Sequence, residues 1–301
     1  MSMFHGLSAF PITPCNASGE VDTDTLGHLI TRLEDAKVNS IGLLGSTGSY
    51  AYLSRAERLR AIKAAVATLT NTPLIVGVGA LRTDDVVAYA QDAQVAGADA
   101  LLLAPVSYTP LTQDEAFAHF ETVAKATDLP ISIYNNPGTT HFNFSLPLLQ
   151  RLADIPNIQA VKMPLPAGEI ADDLAQLRAA LPHDFAIGYS ADWGCAAGLL
   201  AGADAWYTAI GGTLPKPAMA LTKAAQSGDV DLTAKLQAAL QPLWTEVQAY
   251  GSIRVAYTIA RHLGLTDAVP PLPVQLPPAE VEARIIAALE HLDLSKRLRP
   301  A

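Results

Sequence analysis

Eight short apolar runs punctuate the first two-thirds of the chain. They begin near Gly6 (GLSAFPI), Ser40 (SIGLLG), Leu74 (LIVGVG), Ala100 (ALLLAP), Ile131 (ISIYNNP), Ile158 (IQAVKMP), Phe185 (FAIGYS) and Ala205 (AWYTAIGG). Each is nearly continuous in apolar character, the pattern of parallel strands covered on both faces. Between them the apolar positions fall at helical spacing. Residues 22–36 carry Leu26, Leu29, Ile30 and Leu33 on one stripe, and residues 54–69 open on Ser54 with Glu57 three positions later, the pattern of a capping box. Residues 83–96, 112–127, 169–181 and 191–200 read as further helices. Strand–helix alternation repeated eight times predicts a (β/α)8 TIM barrel, with an open doubly wound sheet as the alternative. The alternative lacks its usual mark, because Gly77-Val78-Gly79 is not followed by the third glycine of a dinucleotide fingerprint.

Past the eighth run the pattern turns wholly helical, over residues 218–227, 230–248 and 252–263. A proline-rich stretch, 269–278, leads to a last helix at 279–292. The expected organisation is a barrel over residues 1–225 and a C-terminal helical extension, 226–301, packed on it. Its end, Lys296-Arg297-Leu298-Arg299, reads as a solvated tail.

Composition narrows the function classes. The 301 residues are 50% hydrophobic with a net charge of -9, enough apolar surface for a large core and the wrong sign for a nucleic-acid partner. No apolar run reaches transmembrane length, and residues 1–14 lack the basic start and apolar core of a secretory signal, so a cytoplasmic enzyme without a membrane partner is expected. The two cysteines, Cys15 and Cys195, form no disulfide framework, and no metal-ligand motif occurs, so no metal is expected.

One residue breaks the apolar pattern. Lys162 stands in the middle of the sixth run, Ile158-Gln159-Ala160-Val161-Lys162-Met163. Burial disfavours an ammonium, and the neutral amine is a nucleophile toward carbonyl carbon. A lysine reaching out of a strand end to water is the other reading. In a barrel, the chemistry gathers at the C-terminal ends of the strands. There the second run ends in Gly45-Ser46-Thr47-Gly48-Ser49, a tight turn whose N–H groups and hydroxyls suit a carboxylate, or simply a connection rich in small residues. The fifth ends in Tyr134-Asn135-Asn136-Pro137, where a phenol can move protons or merely fill the core. Ser107-Tyr108 follows the fourth, and His141 is left at the pocket rim. Gly188-Tyr189-Ser190-Ala191-Asp192 lacks the closing glycine of a nucleophile elbow. Nest, phenol and amine together suit a 2-oxo acid whose carboxylate meets Ser46 and Thr47 and whose ketone meets Lys162.

Taken as an ordered set, Gly45-Ser46-Thr47-Gly48, Leu53-Ser54 with Glu57-Arg58, Pro105 with Tyr108, Tyr134-Asn135-Asn136-Pro137 and Val161-Lys162 resemble the dihydrodipicolinate synthase / N-acetylneuraminate lyase superfamily of Schiff-base lyases. The resemblance covers nearly the whole chain. It implies a homotetramer, and an imine between Lys162 and pyruvate or another 2-oxo acid, with no cofactor. It implies Tyr134 as proton shuttle, Ser46 as its relay, Tyr108 reaching across a dimer interface, and Thr47 and Gly48 on the carboxylate. Gly188 and Tyr207 fall where pocket-lining residues occur.

The departures bear on substrate. Ser49 replaces a glutamate common after the turn. Met163 replaces an acidic residue after the lysine and leaves the site drier. Thr139 stands where the synthases carry an arginine for the aldehyde's carboxylate, and Tyr50 and Arg55 occupy the region that binds feedback lysine in some of them. These point to an aldolase or dehydratase acting on a 2-oxo sugar acid or similar acid, with dihydrodipicolinate synthase as the alternative. A non-catalytic 2-oxo acid sensor, or a barrel enzyme using Lys162 only as acid or base, are the readings from other classes.

Overall fold

The computed structural model describes residues 3–292; the basic stretch Lys296–Arg299 lies outside them. Eight parallel strands close into one barrel in sequence order: β1 (Gly6–Ala9), β2 (Ser40–Leu43), β3 (Leu74–Gly77), β4 (Ala100–Leu103), β5 (Ile131–Tyr134), β6 (Ile158–Met163), β7 (Ala186–Tyr189) and β8 (Ala205–Thr208). Closure excludes the open sheet. Seven of the eight strands are only four residues long and buried throughout, because helices cover the outer face and side chains fill the lumen. Alternation sorts the two faces. Leu7, Ile41, Leu43, Val76, Leu101, Ile133, Val161 and Trp206 join the core beneath the helices, whereas Ile75, Leu102, Tyr134, Ala160, Ala186 and Tyr207 share a separate inner cluster.

The helices follow the apolar stripes: α1 (Thr23–Asp35), α2 (Arg55–Thr68), α3 (Thr83–Ala96), α4 (Gln113–Ala124), α5 (Pro137–Thr140), α6 (Leu146–Ala153), α7 (Ile170–Ala180), α8 (Cys195–Leu200) and α9 (Pro215–Gln226). Three departures from the pattern have local causes. Ser54 does cap α2, but the Glu57 carboxylate accepts from the Val21 N–H at 2.7 Å instead of closing a capping box, and tethers the loop after β1. The reciprocal box is at Thr112 and Glu115, on α4. Helix α8 begins at Cys195, not at 191, because Ala191 is in the left-handed region at φ 79°. Helix α6 escapes a pattern search through its brevity, eight residues with Pro147 in the first turn.

Three further helices, α10 (Val230–Tyr250), α11 (Ser252–His262) and α12 (Ala279–His291), complete the chain. They brace the barrel rather than sit apart from it. Trp244 of α10 packs edge-on against Trp206 of β8 at 6.4 Å between centroids. Tyr257 of α11 donates to the Thr13 carbonyl at 3.1 Å, fixing the segment after β1. Arg284 of α12 grips Glu246 of α10 through two hydrogen bonds of 2.6 and 3.0 Å.

Candidate active site

Strand register assembles the site. Tyr134 of β5 is paired with Lys162 of β6, and Lys162 with Gly188 of β7. All three therefore sit side by side at the C-terminal ends of their strands. Lys162 is buried, and no ion pair or hydrogen bond engages its Nζ among the described residues. Its nitrogen lies instead among aromatic rings, 4.1 Å from the Phe10 centroid, 4.2 Å from Tyr134 and 5.7 Å from Tyr207. An amine without a carboxylate partner, next to a phenol, is poised for carbonyl chemistry rather than for an ion pair.

The Tyr134 hydroxyl accepts from the Asn136 amide at 2.8 Å and shares a 3.3 Å hydrogen bond with Ser46 Oγ. With the Asn136 amide on one side and the Ser46 hydroxyl on the other, the Tyr134 oxygen stands in a hydrogen-bonded chain along which a proton can pass. Nothing in the sequence around Asn136 marks it for this contact; two residues past Tyr134 on a tight turn, it folds back on the ring it follows.

The turn after β2 is built on strained backbone. Leu44 (φ 57°) and Ser49 (φ 58°) are both left-handed without being glycine. Gly77 allows this: a β-carbon there would stand 1.9 Å from the Leu44 carbonyl oxygen. Thr47 is buried within the turn, and a β-carbon on Gly48 would sit 3.1 Å from Thr13 Oγ1, on the segment that Tyr257 pins from below. Next to it Arg58 is buried between Tyr50 and Tyr89, 5.2 and 4.3 Å from their centroids, and donates to the carbonyls of Leu53 and Gly79. Burial pushes the Tyr50 phenol up to about 12 and the Arg58 guanidinium down from its usual value.

On the opposite side, Asp192 is a buried carboxylate that accepts from Trp206 Nε1 at 3.1 Å and the Ile210 N–H at 2.8 Å. Burial raises its pKa, against the pull of those donors. It ties the loop after β7 to the end of β8. Gly188 and Tyr207 meet each other: a β-carbon on Gly188 would lie 2.5 Å from Tyr207 Cε2, so the glycine makes room for the ring. Burial pushes the Tyr207 phenol upward. Tyr108 is not brought to this cluster within one chain, being 96% exposed on the loop after β4. His141 is exposed at the end of α5, and Thr139 lies on the same short helix.

Residues 3–291 match the model of the dihydrodipicolinate synthetase family. The chain belongs to this family. A 4-hydroxy-tetrahydrodipicolinate synthase of Neisseria meningitidis is 32% identical over 243 residues, covering 80% of this chain and 82% of the relative. A dihydrodipicolinate synthase structure from Agrobacterium tumefaciens is 55% identical with a TM-score of 0.95, covering 96% of this chain and 98% of the other. A chloride-inhibited synthase from Acinetobacter baumannii, solved in complex with pyruvate, is 28% identical with a TM-score of 0.89 and covers 97% and 99% of the two chains. Family membership makes this chain a class I lyase, working through a Schiff base on a lysine. No helix among the described residues is long and apolar enough to cross a membrane, and no group of three or more His, Cys, Asp or Glu among them is placed to hold a metal.

Proposed function

We propose that Lys162 is the imine-forming residue of a pyruvate-dependent lyase. The observation that carries this is a buried amine without a carboxylate partner, against a phenol hydrogen-bonded to Ser46. The neutral amine attacks the 2-oxo carbon, and the carbonyl oxygen takes a proton to become the hydroxyl of a carbinolamine. Tyr134 supplies the proton with which that hydroxyl leaves as water, and the protonated imine remains. This imine draws electrons from C3, so a proton or carbon substituent leaves C3, and the resulting enamine can add an electrophile. The imine is itself the electron sink, so the reading calls for no cofactor. Ser46 relays protons to Tyr134, while Thr47 and the Gly48 N–H hold the carboxylate.

Assembly belongs to the same reading. The exposed apolar side chains Tyr52, Leu81 and Tyr108 follow β2, β3 and β4 in turn, a rim that a second subunit would cover. A homo-oligomer, a tetramer by the family resemblance, would place Tyr108 at a neighbouring relay. A cytoplasmic location accords with a chain of this kind.

On substrate, the names of the relatives favour 4-hydroxy-tetrahydrodipicolinate synthase activity, joining pyruvate to an aldehyde, over a sugar-acid lyase. The second reading keeps one specific support: residues 135–140 carry no cation for an aldehyde's carboxylate, Thr139 having replaced the arginine. Borohydride trapping with pyruvate, followed by peptide mapping, tests the core of the proposal. An adduct on Lys162 is expected; no adduct with any 2-oxo acid would return the chain to the sensor reading. Product analysis with aldehyde partners and with 2-oxo sugar acids then separates the two substrates.

A further inference from the structure

Phe10 directly follows β1, and its ring is the nearest of the three to the Lys162 nitrogen. The ring is buried and held on three sides. A β-carbon on Gly42 would stand 2.2 Å from Phe10 Cε1 and Cζ, and one on Gly45 would stand 2.5 Å from Cδ1. Tyr207 meets it edge-on at 6.2 Å and 64°. Two glycines of the β2 region thus stand beside a ring that runs from the start of the Gly45–Ser49 turn to the side of the lysine. Gly188 gives the same service to Tyr207. The amine is bordered by aromatic rings seated on glycine backbone, which cannot retreat.

A 2-oxo acid joined to Lys162, with its carboxylate at the turn, would lie along the ring that borders both, with C3 beside Phe10. We propose that Phe10 is a specificity-determining floor that admits 2-oxo acids bearing CH3 or a single CH2R at C3 and rejects those branched at C3. Any longer chain leaves C3 upward, through the barrel mouth. The inference rests on Lys162 being the imine residue.

The test compares borohydride trapping of pyruvate and of 3-methyl-2-oxobutanoate on the full-length wild type, Phe10→Ala and Phe10→Leu, read by intact mass. Wild type is expected to trap pyruvate and to discriminate against the branched acid. Removing the ring should raise the branched-to-pyruvate ratio by about tenfold or more, the usual worth of a methyl group in an apolar pocket. Loss of fold lowers both adducts and cannot raise the ratio; Phe10→Leu, which keeps a large apolar side chain just past β1, carries the comparison where Phe10→Ala does not fold. Gly42→Ala should weaken pyruvate trapping by driving the ring upward, and Phe10→Ala in the same chain should restore it. An unchanged ratio, equal trapping of both acids by the wild type, or pyruvate trapping lost in both folded Phe10 variants would overturn the floor alone. No adduct on the wild type with any 2-oxo acid would instead overturn the proposed function, and the floor with it.

Discussion

At the residue scale, the proposed mechanism assigns the nucleophile to Lys162 and the proton transfer to Tyr134. Lys162→Ala removes the amine that the proposal requires, so trapping and turnover should both vanish. Tyr134→Phe keeps the ring 4.2 Å from the nitrogen but deletes the hydroxyl shared by Ser46 and Asn136. Its turnover should fall about 10²–10⁴-fold, the range for a positioned acid–base group, while the pyruvate adduct still forms on longer incubation. Single-turnover trapping distinguishes the two variants; full activity of Lys162→Ala would end the imine reading. Asp192 acts at the same scale but through others. Asp192→Ala strands the Trp206 indole and the Ile210 N–H without their acceptor, at about 2–4 kcal/mol of stability by denaturant titration.

At the element scale, loops are held by side chains from helices some distance along the chain. Glu34, at the end of α1, accepts from the N–H groups of Thr70, Asn71 and Thr72 and from the Thr70 hydroxyl. Burial raises this carboxyl, but those donors together outweigh it and hold it at about 2. The folded value lies below the unfolded one, so the contribution is complete above about pH 4.5 and disappears as pH falls toward 2. Glu34→Gln should therefore lower stability at neutral pH and flatten its acid limb over that window; parallel acid limbs in the two proteins would refute the assignment. Arg58 holds the loops after β2 and β3 in the same manner, through Leu53 and Gly79. Arg58→Met, similar in length and unable to donate, should cost about 1–3 kcal/mol and weaken the carboxylate turn with it.

At the scale of the whole molecule, the helical extension and the exposed rim have different jobs. Helix α11 supports the site from within one chain, through Tyr257 and Thr13 up to Gly48. The rim carrying Tyr52, Leu81 and Tyr108 offers apolar surface outward. Leu81→Asp should shift the protein toward smaller species in light scattering and lower its rate together with its mass. A monomer as active as the parent protein would remove Tyr108 from the relay.

The chain's pattern by itself determined eight alternating strands and helices, because two-sided burial leaves strands no polar face and helices a single stripe, and these are local, periodic consequences of sequence; closure into a barrel rather than an open sheet belongs to the assembled molecule. It also exposed Lys162 and Tyr134, since a polar group in an apolar run contradicts its surroundings, and the motif set placed both in their family. Tertiary structure alone decided the rest. Phe10 looks like any core aromatic until closure of the barrel lays its ring across Gly42 and Gly45, residues more than 30 positions away, and beside the lysine. Glu57 spells a capping box until the Val21 N–H, brought close by the loop after β1, competes for its carboxylate. Asp192 reads as part of a helix start until β8 presents an indole, and the turn after it an N–H, to its carboxylate. Periodicity records which face of an element is buried; which atoms meet on that face depends on register and closure, and those are properties of the assembled barrel.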